Sequence, residues 1–91
     1  IFVTHFPRYG HAFACAGDHD LVCCGHSHRA GAGVQRNVKG GETWLVNPGT
    51  VAGLAAPPTW VLADLDAMRF EIRVLAPSPA SAPAAIPPKK D

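Results

Sequence analysis

Asp20-Leu-Val-Cys-Cys-Gly-His-Ser-His28 joins the most apolar run of the chain to its densest group of ligand-type side chains. Leu21 to Cys24 is a short, unbroken apolar run between Asp20 and Gly25, the pattern of a strand buried on both faces in a sheet covered by other layers. Gly25 lets the chain turn sharply off that strand, and His26 and His28, two residues apart, can project from one side of the turn. Open α/β sheets hold their ligands just beyond the carboxyl ends of the strands, so a metal site is expected at this point.

Upstream, Ile1 to Thr4 is apolar and rich in β-formers and runs directly into His5, a second place where a histidine follows a strand. Phe6-Pro7 breaks regular structure, and about Arg8 to Ala16 then suits a short helix closed by Gly17. The opening third therefore reads strand, helix, strand, the unit of a parallel sheet. Downstream, Ala30-Gly-Ala-Gly33 reads as a flexible connection, and Val34 to Val38 with Glu42 to Val46 reads as a hairpin around Lys39-Gly40-Gly41. Asn47-Pro48-Gly49-Thr50 ends it with turn-forming residues. Trp60 to Ala63 and Arg69 to Leu75 form two more strands, and Phe70, Ile72 and Val74 alternate with Glu71 and Arg73 as on a sheet covered on one side. The domain is thus expected over residues 1–75. Residues 76–91, with five prolines and little to bury, are expected to be a disordered, partly polyproline tail.

Composition limits the alternatives. The chain has 91 residues, 47% of them hydrophobic and 16% charged, at a net charge of +1, which is globular composition with room for one domain. Residues 1–75 carry six basic and six acidic side chains, so no electrostatic argument points to nucleic acid or to anionic lipid. No apolar run reaches the length of a membrane span and no signal-peptide pattern opens the chain, so a soluble cytoplasmic protein is expected. Cys15, Cys23 and Cys24 are odd in number, and neighbours on a strand point to opposite faces, so all three read as reduced cysteines. The chain opens at Ile1 and its only methionine is Met68, from which a fragment of a longer protein is expected.

Taken singly, each histidine is most simply a packed or solvated side chain. His11, on the short helix, and His19, in a polar loop, keep that reading. His5, His26 and His28 together are harder to dismiss, because neutral imidazoles at neighbouring strand ends are how a metal site is assembled. Asp64 and Asp66 are most simply turn formers, and Trp44 and Trp60 sheet-face aromatics.

Val3-Thr-His-Phe-Pro7, then Asp20-Leu-Val-Cys-Cys-Gly-His-Ser-His28, then Leu45-Val-Asn-Pro-Gly-Thr50 resembles, in order and spacing, the carboxyl-terminal half of the calcineurin-like metallophosphoesterases. The small bacterial and archaeal phosphodiesterase branch is the nearest in pattern. The resemblance covers about residues 1–75 and implies an α/β fold, here the C-terminal part of a four-layer αββα sandwich. It implies two divalent metal ions, manganese first, with nickel, magnesium, iron or zinc as alternatives. His5 and His26 would serve one metal and His28 the other, while Asn47, Pro48 and Gly49 match a segment that shapes the rim of the site. In that family paired ions hold a bridging hydroxide that attacks phosphorus, so the implied reaction is hydrolysis of a small phosphate ester. Arg29, directly after the site, is a candidate for holding a substrate phosphate.

The family's earlier Asp-x-His, Gly-Asp and Gly-Asn-His-Asp/Glu motifs do not occur here in the required order. Gly17-Asp18-His19-Asp20 resembles the second of them but precedes a strand instead of following one, and reads as a loop. Only three of the seven usual ligands are present, and the histidine that assists the leaving group is expected upstream. The chain alone is accordingly expected to be inactive, with activity in a longer parent. Two rival readings stay open: a non-catalytic scaffold on the same fold, and a mononuclear metal-binding module. A homo-oligomer is also left open.

Overall fold

The computed structural model describes residues 1–75, which form β1 (Phe2–Val3), α1 (Pro7–Ala16), β2 (Leu21–Cys23), β3 (Gly31–Arg36), β4 (Glu42–Asn47), β5 (Thr59–Asp64) and β6 (Arg69–Val74). The expected tail, residues 76–91, lies outside the described residues. Four strands make one sheet in the order β1-β2-β4-β3, and β5 and β6 pair separately as an antiparallel hairpin. β1, β2 and β4 run parallel, and β3 is antiparallel to β4.

β2 occupies the interior of its sheet, as its unbroken apolar run predicts. Val22 is fully buried, and Leu21, Cys24, Val46 and Ala14 complete a small core around it. Burial also pushes the Cys23 and Cys24 thiols up from their ordinary range, and all three cysteines are free. Truncating Val22 to alanine removes two methyl groups that the sheet and helix cannot replace. It is expected to lower unfolding stability by about 2 kcal/mol, measured by urea titration.

The helix starts one residue earlier than the sequence pattern indicates. Proline ends a preceding strand, yet its fixed φ and missing N–H also suit the first turn of a helix, and Pro7 takes that place. Gly17 closes α1 in the left-handed conformation. Gly10, buried within the helix, lets α1 lie close on the sheet, because an added Cβ there would stand 3.1 Å from Cys24 Cβ and 3.3 Å from Leu45 Cδ1. Leu45 faces the helix, so the adjacent Trp44 points to the opposite face, where its ring meets Phe70 of β6 at 4.7 Å. Helix, four-stranded sheet and hairpin therefore stack as three layers of mixed α/β character, consistent with part of a calcineurin-like α/β fold.

Two expectations need correction. Gly31 to Gly33 is not a flexible connection but the first half of β3, since pairing with Leu45, Val46 and Asn47 satisfies its backbone and overrides the low strand propensity of glycine. Val38 leaves the strand and is 82% exposed, because Asn37 ends the pairing by accepting the Lys39 and Gly41 amides on its side chain. The hairpin at the end forms as expected. Its Ile72 and Val74 stand exposed, however, while Phe70 of that alternating set packs against Trp44 of the first sheet. No helix among them is long and apolar enough to cross a membrane.

Candidate metal centre

The site is built where β1 and β2 end side by side. Their register pairs Val3 with Cys23, and the ladder continues past both strands through the Thr4 amide to Cys23 O and the Gly25 amide to His5 O, each at 2.9 Å. Both loops therefore leave the sheet at one level. His5 follows β1 and His26 follows β2, and His5 Nε2 lies 3.1 Å from His26 Nδ1. Both rings are exposed to solvent.

That separation has chemical content. Two imidazole nitrogens bound side by side to one ion at about 2.0–2.1 Å are themselves about 2.9–3.4 Å apart, depending on coordination angle. The observed pair already has that spacing. In the absence of an ion one ring donates a proton to the other, and with an ion both lone pairs can converge on it. The residues present thus fit one side of a metal's coordination shell.

His26 reaches this position through an unusual turn. The Ser27 amide donates to Gly25 O at 2.7 Å across His26, whose φ is +64°. This is a three-residue turn with a positive φ at its centre, a rare and strained form for a residue with a Cβ. His28 has φ +62° as well, and successive reversals send it away from the pair. Its Nδ1 lies 3.1 Å from Leu54 O, and since a carbonyl can only accept, Nδ1 carries the proton. A neutral His28 ring then keeps Nε2 as its free lone pair, the arrangement in which a second partner orients a ligating histidine.

The structure thus brings His5 and His26 together and leaves His28 apart, half-buried against the loop at Leu54. Among the described residues no group of three or more His, Cys, Asp or Glu side chains could hold an ion between them. Arg29 is exposed, and its amide donates to Ser27 Oγ at 3.3 Å. His11 lies beside Cys15, with its ring nitrogens 3.8 and 3.9 Å from Sγ. His19, read as a packed or solvated side chain, is half-buried and stacks on Phe2 with ring centroids 5.4 Å apart. Its neighbour Asp18 is hydrogen-bonded to Lys39, whose charge helps hold the carboxyl below its ordinary range.

Sequence reasoning missed the aromatic wall beside the pair. The Phe6 ring lies 4.8 Å from that of His5 and 4.7 Å from that of His26, and Arg8 lies over both Phe6 and Tyr9. Phe6, Pro7, Arg8 and His26 line a cleft of about 330 Å³. The signal was present in His5-Phe-Pro-Arg8, where Phe6 directly follows the histidine and Pro7 begins the helix that carries Arg8. A larger cleft, about 410 Å³, lies on the β5–β6 hairpin and includes no histidine. Volume alone would therefore point away from the chemistry.

A family model described as the calcineurin-like phosphoesterase superfamily domain matches residues 1–68. No curated protein and no solved structure matches the chain.

Proposed function

Because the chain belongs to the calcineurin-like phosphoesterase superfamily, a family of metal-dependent phosphoesterases, we propose that it supplies the histidine side of a phosphodiesterase's dinuclear centre. The observation that supports this most directly is the 3.1 Å spacing of His5 Nε2 and His26 Nδ1 at adjoining strand ends. His5 and His26 would hold one divalent ion, and His28 through Nε2 would hold the other. Manganese is the first choice of metal. When bound, the ions supply an activated water and neutralise phosphoryl charge.

The chain's own groups have three further tasks in this reading. Phe6, packed against both imidazoles, limits their rotation and keeps bulk water from one side of the pair. Leu54 O fixes the protonated nitrogen of His28. Arg29, exposed directly after His28, would meet a substrate oxygen with its guanidinium. The aspartates, the amide ligand and the leaving-group histidine are assigned to residues outside these 91, and the substrate to small phosphodiesters.

Titration of the chain with Mn²⁺ tests the reading together with hydrolysis of bis(p-nitrophenyl) phosphate. The 91-residue chain is expected to bind the ion without turnover. The same chain, extended by sequence carrying Asp-x-His, Gly-Asp and Gly-Asn-His-Asp/Glu in that order, is expected to hydrolyse the diester only with added metal. An extended chain that binds a single ion and shows no turnover would reject the phosphodiesterase and leave a mononuclear metal-binding module.

A further inference from the structure

We infer that Asn47 is a positioning residue for His26: its side-chain amide holds the strained turn that presents the imidazole to the metal. The inference rests on the metal-centre reading above and deepens it. A residue with a Cβ at positive φ costs about 1–3 kcal/mol and persists only where its surroundings over-determine it. His26 is such a residue, it is exposed, and its own turn contributes a single amide hydrogen bond. Its ring meets His5 and Phe6, but further support for the backbone of the turn comes from another strand.

Asn47 closes β4, next to β2 in the sheet, with Val46 paired to Cys23. Its Nδ2 donates to Gly25 O and to Ser27 Oγ, each at 3.0 Å, so the two contacts bracket His26. Its Oδ1 accepts the Gly49 amide at 2.9 Å. The orientation of the amide follows from its partners, because Gly25 O can only accept and the Gly49 amide can only donate. The far side of this clamp is anchored in turn, since Thr59 Oγ1 donates to Pro48 O at 2.9 Å. Asn47 is half-buried and Thr59 buried, so the bonds to Gly25 O and Pro48 O are partly shielded from competing water, while the bond to Ser27 Oγ is exposed. No other side chain type of this size offers two donors toward the turn and one acceptor toward Gly49.

Asn47→Asp separates this role from plain packing. The carboxylate keeps the volume and the acceptor for Gly49, but loses both donors and sets an oxygen against Gly25 O. Two readouts are followed. In the metal-free chain, proton NMR should show contacts between the His26 and Phe6 rings, 4.7 Å apart, and between Trp44 and Phe70 as a control of the fold. Calorimetric titration with Mn²⁺ should give the affinity. In Asn47→Asp the His26–Phe6 contacts are expected to disappear while Trp44–Phe70 contacts remain. Affinity is expected to fall roughly tenfold to a hundredfold, as for loss of a group that orients a ligand.

Persistence of the His26–Phe6 contacts in the folded variant overturns the inference. Should Asn47→Asp lose the Trp44–Phe70 contacts as well, Ser27→Ala decides. It removes one acceptor from an exposed position and is expected to weaken both His26–Phe6 contacts and affinity by about twofold to threefold, a smaller loss than that of the whole clamp. No change in either overturns the inference. A native chain that binds no Mn²⁺ defeats the metal reading instead, and the ring contacts then judge the clamp alone.

Discussion

His26→Ala is expected to lower the affinity of the chain for a divalent ion by more than about a hundredfold, and His5→Ala by a similar factor, since a ligand itself matters more than the groups that orient it. The two nitrogens lie 3.1 Å apart and face one another, so each variant leaves a single imidazole on an exposed surface. One imidazole holds a divalent ion poorly. The double variant should therefore be little worse than either single one, because the first loss already removes the chelate that the second would break. His28, on the other side of the turn and bonded to Leu54 O, should contribute to a separate ion. His28→Ala is expected to leave the first affinity within about threefold, less than the tenfold to hundredfold that loss of even an orienting group brings. Competition against a chromophoric chelator measures all four proteins. Independent, additive losses for His5 and His26 would contradict a shared ion.

The largest effect on folding is expected at Gly49, far from any ligand atom in sequence but two residues from Asn47. Gly49 has φ +84°, and a Cβ added to it would overlap Thr59 Oγ1 and stand 3.2 Å from Ala30 Cβ and 3.3 Å from the Ala30 amide nitrogen. Alanine there meets two penalties together. The left-handed backbone costs about 1–2 kcal/mol, and forcing an extra group into a packed turn costs about 1–3 kcal/mol. Stability is therefore expected to fall by about 2–5 kcal/mol in Gly49→Ala, enough to unfold a domain whose buried apolar core is as small as this one. Urea denaturation followed by Trp44 and Trp60 fluorescence reads the change. Thr59→Ala added to Gly49→Ala should recover part of the loss by removing the overlapping oxygen, though it also breaks the bond to Pro48 O. Failure of the double variant to recover any stability would show that backbone strain, not overlap, carries the effect.

Some of this was legible in the residues alone. Unbroken hydrophobicity at Leu21 to Cys24 marked an interior strand, and Gly17 marked a helix end. Both are local signals, because burial on two faces and a left-handed cap each demand particular residue types. The strand at Gly31 to Gly33 was illegible for the opposite reason. Glycines carry no side-chain preference, and their extended conformation comes from the neighbouring strand. The packing of Phe6 on the histidines and of His19 on Phe2 was equally hidden, since each joins residues through the geometry of α1 and its flanking turns.

The same division runs through the candidate site. Short-range pattern was enough to put His5 and His26 at the carboxyl ends of parallel strands, because strand, turn and helix preferences act over a few neighbouring residues. By itself it could not say which imidazoles would meet, although the family resemblance grouped His5 with His26 and set His28 apart. That outcome hangs on the positive φ of His26 and His28 and on an amide twenty residues or more along the chain, at Asn47, that holds the first of them in place. A strained backbone angle is unfavourable in isolation, so no local preference announces it. Contacts from β4 to the turn after β2 help to make it stable, and those contacts exist only once the sheet has formed.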